Sequence, residues 1–281
     1  MCRLLRSINK SQLTGYNREF NTMKQNPLLS IAIEAARAGE DIIRHYYNSN
    51  LKITVKQDYT PVTVADIETE QKIKEVILGA YPDHGFYGEE TGVTNLDAEY
   101  VWLIDPIDGT KSFVREYPFF STQIALMHRG ELILGVSNGV MFNECAWASR
   151  GEGAFLNGQL LQVSGVNTLR DATLSTGNIA SLAADSLTWS KTGALLQQVN
   201  RTRGYGDFYH YHLLASGKIE IVLESDVNIL DIAALSVIVS EAGGVFTDLE
   251  GNKPGLDTRS VLATNNREMH DRVKSRLQGS G

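Results

Sequence analysis

Cysteine is nearly absent: Cys2 and Cys145 are the two in 281 residues. Two thiols supply neither a disulfide framework nor the spacing of a zinc site, so both are expected to be free in a reducing compartment. No apolar run is long enough to form a membrane-spanning helix. Basic charge is not in excess either. Lys and Arg number 26 against 33 Asp and Glu, and the net charge of -7 argues against non-specific nucleic-acid binding. Internal repeats, low-complexity linkers and a Cys or His nucleophile motif are also lacking. What the chain does have is 42% hydrophobic residues and enough length for one large domain or two packed lobes.

The N-terminal stretch is unlike the rest. Arg3, Arg6, Lys10 and Arg18 are basic, Glu19 is its only acid, and no signal-peptide apolar segment is present. An organellar transit peptide has similar composition. A disordered tail over 1–25, or a start at Met23, is the preferred expectation, with a cytoplasmic location.

The chain is organised around Val101-Trp102-Leu103-Ile104-Asp105-Pro106-Ile107-Asp108-Gly109-Thr110. Val101 to Ile104 is an apolar run suited to a strand covered on both faces. Pro106 has no N–H for a ladder, so the strand is expected to stop at Asp105. Gly109 permits a tight turn, and Thr110 can cap a short helix whose free N–H groups favour an anion. Two carboxylates then crowd one turn. At roughly 4 Å and an effective dielectric of about 20, their repulsion is about 4 kcal/mol. A hard cation such as magnesium removes that cost. An Asx-rich turn with no metal uses the same residues.

Before this stretch, Pro27 suits the first position of a helix capped by Asn26, with an apolar stripe from Leu28 to Tyr46 interrupted near Gly39. Ile53 to Val55 suggests a strand, Asp58 to Pro61 a turn, and Val62 to Leu78 a second helix burying Val62, Ile67, Ile73, Val76 and Ile77. Asp66 lies near its start, where the helix dipole favours a carboxylate. Gly85 to Glu90 predicts a strand ending in paired acids. After it, Thr122 to Met127, Leu132 to Ser137 and Glu144 to Ala148 predict an antiparallel meander, and Ala154 to Gly158 a further strand and turn. In the second half, Ala172 to Ser175 and Ile219 to Leu223 predict strands. Leu182 to Val199 is partly helical, and Asp207 to Ala215 is a helix stopped by Gly217. Asp231 opens an apolar helix reaching Ala242. Short strands at Val245 to Thr247 and Val261 to Ala263 precede a closing helix, Glu268 to Leu277. Strands alternating with helices imply stacked α and β layers, an α+β class.

The run Trp102 to Thr110 resembles the signature of the inositol monophosphatase family of magnesium-dependent phosphatases. Three further blocks match in order: Thr63-Val64-Ala65-Asp66, Gly88-Glu89-Glu90, and Asp231-Ile232-Ala233 followed by Glu241-Ala242-Gly243-Gly244. The resemblance covers about residue 27 to residue 275. It implies a layered αβαβα sandwich of the inositol monophosphatase and fructose-1,6-bisphosphatase type, a single phosphatase domain over 26–281 with lobes near 26–165 and 166–281, and a homodimer. It also implies two or three Mg2+ ions. Glu89, Asp105 and the Ile107 carbonyl would hold one, Asp105, Asp108 and Asp231 a second, and Glu89 with waters a weaker third. Thr110, hydrogen-bonded to Asp66, would orient and deprotonate the attacking water. The N–H groups of Gly109 and Thr110 would bind phosphate oxygens, and in-line attack would invert phosphorus.

The implied substrate is a phosphate monoester, with no nucleic acid or membrane as partner. Lys111-Ser112-Phe113 after the Gly-Thr, and Arg203 to Tyr209 leading to Leu213-Leu214-Ala215-Ser216-Gly217, look more like the histidinol-phosphate phosphatase branch. The Asn228-Ile229-Leu230 run before Asp231 also departs from many inositol phosphatases. Histidinol phosphate carries a cationic amine and an imidazole, which acids at a pocket mouth can bind. Asp207 and Glu224 are the candidates, with a helix cap and a strand-end surface acid as the alternatives. His210 and His212 are expected to be structural or exposed. An inositol or broad sugar-phosphate phosphatase is the second reading, and a non-catalytic metal-dependent binding protein on the same fold the third. A 3′-phosphonucleotide phosphatase is disfavoured because no basic pocket motif is present.

Overall fold

The computed structural model describes residues 26–47, 53–55 and 61–279. Cys2, the expected N-terminal tail and the turn at Asp58 to Thr60 lie outside the described residues. Helix α1 (Pro27–Tyr46) begins as its sequence predicts, with Pro27 in the first turn and Asn26 Oδ1 accepting from the Leu28 N–H at 3.0 Å. The interruption expected near Gly39 does not occur. Gly39 is buried inside the helix, against Thr69 and Ile73.

Strands β1 (Ile53–Val55) and β2 (Pro61–Thr63) pair antiparallel, and helix α2 (Val64–Ala80) follows at once. The second helix therefore starts two residues later than expected, because Val62 is paired with Thr54 in the ladder. A capping box fixes the start: Thr63 Oγ1 accepts from the Ala65 N–H at 3.1 Å, and Asp66 Oδ2 accepts from the Thr63 N–H at 2.8 Å. Ile67 is exposed rather than buried. The inward face of α2 runs instead through Ala65, Asp66, Thr69, Glu70, Ile73 and Ile77, so its first two turns bury polar groups.

The main sheet is built from β3 (Gly85–Gly88), β4 (Gly92–Thr94), β5 (Tyr100–Asp108), β6 (Ser121–His128), β7 (Glu131–Gly139), β8 (Glu144–Ser149), β9 (Gly153–Leu156) and β10 (Gln159–Leu160). Its order is β10-β9-β8-β7-β6-β5-β3-β4, antiparallel throughout except for the parallel pair β3 and β5. The expected meander is its centre. Strand β5 is covered on both faces: Val101 and Leu103 join one core cluster, and Trp102 and Ile104 another.

The strand does not stop at Asp105. It continues through Pro106 to Asp108, with a register shift against β6 between those two aspartates. A bulge is the place where a strand tolerates proline, because no ladder donor is needed there. The Pro106 carbonyl accepts from Thr122 Oγ1 at 2.9 Å. Residues three apart in a regular strand point to opposite faces, and the bulge re-aims Asp105 and Asp108 to one place.

A second sheet has order β12-β11-β13-β15-β14. Its strands are β11 (Thr173–Thr176), β12 (Arg201–Arg203), β13 (Ile221–Ser225), β14 (Val245–Thr247) and β15 (Ser260–Thr264). Around it lie helices α4 (Ile179–Ala184), α5 (Ser186–Leu196), α6 (Asp207–Ala215), α7 (Ile229–Glu241) and α8 (Arg267–Gln278). The short helix α3 (Thr110–Val114) follows β5.

Five layers result. Helices α1 and α2 pack on one face of the main sheet, with Trp102, Ile104, Ile124 and Val136 beneath them. Helices α6 and α7 fill the space between the two sheets, touching Val101, Leu103 and Ala125 on one side and Val222, Val261 and Ala263 on the other. Leu195 of α5 and Met269 and Val273 of α8 cover the outer face of the second sheet. This is the αβαβα sandwich that the resemblance implies. Helix α7 is apolar almost all round because both of its sides face a sheet. No helix among the described residues is long and apolar enough to cross a membrane.

The connection between the sheets is pinned by buried polar groups. Glu220 accepts from Ser164 Oγ at 2.9 Å and from the Thr173 N–H at 2.6 Å, and Asn265 Nδ2 donates to the carbonyls of Ser164 and Val166. Glu241 accepts from the Gly151 and Gly153 N–H groups at 3.0 Å each. The Glu-Ala-Gly-Gly block thus ties the end of α7 to the β8–β9 turn rather than entering the site chemistry.

Candidate active site

Three carboxylates meet where β5 ends and α7 begins. Asp105, Asp108 and Asp231 each present an oxygen, and these oxygens all lie within 4.8 Å of one another. The bulge supplies the first two. A second capping box supplies the third: Asp231 Oδ2 accepts from the Asn228 N–H at 2.8 Å, while Asn228 Oδ1 accepts from the Leu230 N–H at 2.7 Å. Asp231 is accordingly the third residue of α7, not its opening residue, and Asn228 is the cap. The Asn-x-x-Asp spacing carries that signal in the sequence, as Thr63-x-x-Asp66 does for α2.

Burial and mutual repulsion act together on this cluster. Asp105 is 2% exposed. Burial first, then the charges of Glu89, Asp108 and Asp231, push its carboxyl well above the usual range. Asp108 is driven well up by burial and by Asp207, Asp231 and Glu224, and burial lifts Asp231 to about 7 against the bonds from Asn228. Asp105 Oδ1 is buried and has no hydrogen-bond partner. Leaving such an acceptor unpaired costs about 1–3 kcal/mol. A divalent cation would satisfy that oxygen and offset the repulsion, and an all-oxygen donor set suits Mg2+. Glu89, at the β3 end, is itself exposed, yet its side chain hydrogen-bonds Asp105.

These raised carboxyls would make cation binding at this cluster depend on pH. Between the ordinary Asp value of about 4 and the value of about 7 for Asp231, the metal-free fold holds a proton that the unfolded chain has released. Stability of the metal-free protein therefore declines as pH rises through that window. A cation takes the deprotonated form and competes with that proton. One competing proton with a pKa near 7 weakens apparent affinity about tenfold at pH 6 relative to pH 8. Calorimetric titration of Mg2+ at the two pH values measures this. Equal affinities would exclude Asp231 from the cation site.

Beside the triad, Gly109 turns the chain with φ of +90° and is the N-terminal cap of α3. Thr110 is the first helical residue and makes no cap bond. Its hydroxyl lies 3.2 Å from Asp66 Oδ1 and 3.0 Å from the Ile107 carbonyl. The expected capping role of Thr110 is thus replaced by a link to Asp66. Burial raises the Asp66 carboxyl, and the bonds from Thr63 and Thr110 partly oppose that.

Asp207 and Glu224 face the same centre from α6 and β13. Both act on Asp108 through their charge. Glu224 is buried, not a surface acid, and its Oε2 meets Tyr211 Oη at 2.7 Å and His210 Nε2 at 3.1 Å. Asp207 makes no side-chain cap bond. The N-terminal cap of α6 is Gly206, and Asp207 itself has φ of +46°, a left-handed conformation concentrated at functional sites. Burial and Glu224 raise its carboxyl to about 6. The two histidines are structural and neither is exposed. His210 Nδ1 meets Ser175 Oγ at 3.2 Å, and His212 bridges Ser137 Oγ at 2.9 Å and Glu144 Oε2 at 3.2 Å.

His212 ends a buried hydrogen-bonded chain that sequence reading missed. Ser121 Oγ donates to Asp108 Oδ2 at 3.3 Å, Gln123 Nε2 donates to Ser121 Oγ at 2.8 Å and to Ser137 Oγ at 3.0 Å, and Ser137 meets His212. Residues 121 and 123 share one face of β6 by period two, the only signal available for them before the fold was known.

Comparison with known proteins agrees with this geometry. A family model described as "Inositol monophosphatase family" matches residues 24–280. A histidinol-phosphatase of Mycobacterium tuberculosis is 37% identical over 255 residues, covering 89% of this chain and 97% of that protein. An inositol-1-monophosphatase of Caulobacter vibrioides is 32% identical over 256 residues, covering 88% and 100%. Among solved structures, extragenic suppressor protein suhB from Bartonella henselae superposes with a TM-score of 0.83 at 28% identity, covering 91% of this chain and all of that one.

Proposed function

The chain belongs to the inositol monophosphatase family, and we propose that this phosphatase hydrolyses histidinol phosphate to histidinol and phosphate. The observation that carries the proposal is the pairing of two partly or fully buried acids, Asp207 and Glu224, next to the Asp105, Asp108 and Asp231 cluster. Such acids cost free energy unless a cation or donor compensates them. The amine and imidazole of histidinol phosphate are such groups.

Glu89, Asp105 and the Ile107 carbonyl would hold one Mg2+, Asp105, Asp108 and Asp231 a second, and Glu89 a third. When bound, magnesium supplies Lewis-acid chemistry, offsetting charge on phosphoryl oxygens and making water a stronger acid. Asp66 and Thr110 orient the attacking water, whose proton passes towards the Thr110 and Asp66 pair. The Gly109 and Thr110 N–H groups, at the open end of α3, bind phosphoryl oxygens. As the water oxygen bonds to phosphorus, the bond to the histidinol oxygen breaks, and that oxygen takes up, through solvent, a proton equivalent to the one the attacking water gave up. The same reading takes residues 26–281 as one phosphatase domain of two lobes, paired in a homodimer.

Inositol phosphate is the second reading, supported by the similarity to the Caulobacter enzyme over that protein's full length. Asp207→Ala separates the two. Loss of a charge-assisted hydrogen bond of about 1.5–3 kcal/mol is expected to lower kcat/KM for histidinol phosphate about 10–100-fold more than for glycerol phosphate, which has no amine. An equal loss on both esters would assign Asp207 a purely structural role.

A further inference from the structure

Glu70 lies four residues after Asp66 on α2 and is fully buried. A buried acid is rare unless it is partnered, and the partners here are backbone. Oε2 accepts from the Glu90 N–H at 2.8 Å and Oε1 from the Thr91 N–H at 2.6 Å. These are the two residues that follow Glu89. On the other side of Glu89, Gly88 leaves the space that the Glu70 carboxyl fills, since a Cβ there would collide with Glu70 Oε1. The Glu89 N–H itself donates to the Ile104 carbonyl of β5 at 3.2 Å. The Glu89 backbone is therefore held from three directions, and its side chain is left to reach Asp105.

One face of α2 carries both contacts. Asp66 meets Thr110, and Glu70, one turn on, meets the loop of Glu89. A helical turn is rigid and rises about 5.4 Å, so α2 sets the spacing between the water-orienting pair and Glu89. Lys74 extends the same face, with Nζ 3.4 Å from Thr91 Oγ1 and 3.4 Å from Thr94 Oγ1.

We infer that Glu70 is a positioning residue for the cation site, acting through the backbone on either side of Glu89. The inference rests on the reading of Glu89 and Asp105 as metal ligands. Carboxylate chemistry is required because both oxygens must accept. A glutamine keeps the volume, but its amide nitrogen would face one of the two N–H donors. Loss of such an outer partner lowers metal affinity about 10–100-fold.

The test is Mn2+ binding to the full chain, read by electron paramagnetic resonance, for wild type, E70Q, E70D and D105N. E70D keeps the acid and withdraws it from the loop by one methylene, so either folded Glu70 variant suffices. Both are expected to bind Mn2+ about 10–100-fold more weakly while the metal-free protein keeps its circular dichroism. In turnover, half-saturation by Mg2+ is expected to rise by the same factor, with kcat regained at high Mg2+. Wild-type affinity in either folded Glu70 variant, with D105N reduced, overturns this inference alone. Equal affinity in wild type and D105N overturns the metal reading and this inference together.

Discussion

Asp105→Asn is expected to lower kcat/KM for a phosphomonoester by about 10³-fold, while the metal-free protein remains as stable as wild type at neutral pH or becomes more so. The first half follows from the place of Asp105 in the cluster. Its Oδ1 is buried without a hydrogen-bond partner, and it shares the site with Asp108 and Asp231. Lewis-acid stabilisation is worth several kcal/mol in the transition state, and about 4 kcal/mol corresponds to about 10³ in rate. The second half follows from burial. The Asp105 carboxyl is already pushed well above the usual range by desolvation and by Glu89, Asp108 and Asp231. Burial and that repulsion penalise its charged form when no cation is bound, and asparagine supplies a neutral group of the same shape. The sign is that of a raised acid: the stability it contributes is present below its ordinary pKa and is lost as pH rises through its folded one. Asparagine removes that loss. Thermal unfolding with and without Mg2+, beside steady-state rates, measures both halves. Near-normal turnover would remove Asp105 from the metal site, and a large fall in metal-free stability would make the rate loss a folding effect.

The local chemistry of the site was legible in the sequence because its carboxylates lie in short blocks, each at a strand end or helix start. The geometry that makes them a site was not. The expectation that Pro106 ends β5 followed from its missing N–H, but a bulge removes the need for that donor, and the same bulge turns Asp105 and Asp108 to one side. Thr110 was expected to cap α3, yet Gly109 takes that position and frees the hydroxyl for Asp66. Glu70 carries no signal of its own in the sequence, since nothing local shows that the loop after Glu89 folds back onto it. His210 and His212 point in different directions along α6, as their spacing requires. What the spacing does not reveal is that α6 lies between two sheets, so both directions lead to buried partners.

Substrate choice is where the fold itself carries least, because one fold can serve different esters. On the proposed function, discrimination would fall to Asp207 and Glu224, which are buried or half-buried and raised or paired rather than solvated. Opposed by a cationic amine and an imidazole, they gain charge-assisted bonds. Opposed by the neutral hydroxyls of inositol, Asp207 is left poorly compensated, and a site built for specific polar partners rejects a ligand that lacks them. The most direct test is phosphate release with Mg2+ from histidinol phosphate and from inositol 1-phosphate at matched concentrations. A ratio of kcat/KM of about 100 or more in favour of histidinol phosphate, roughly 2.7 kcal/mol in transition-state binding, is the predicted result. A flat or inverted ratio would contradict the assignment.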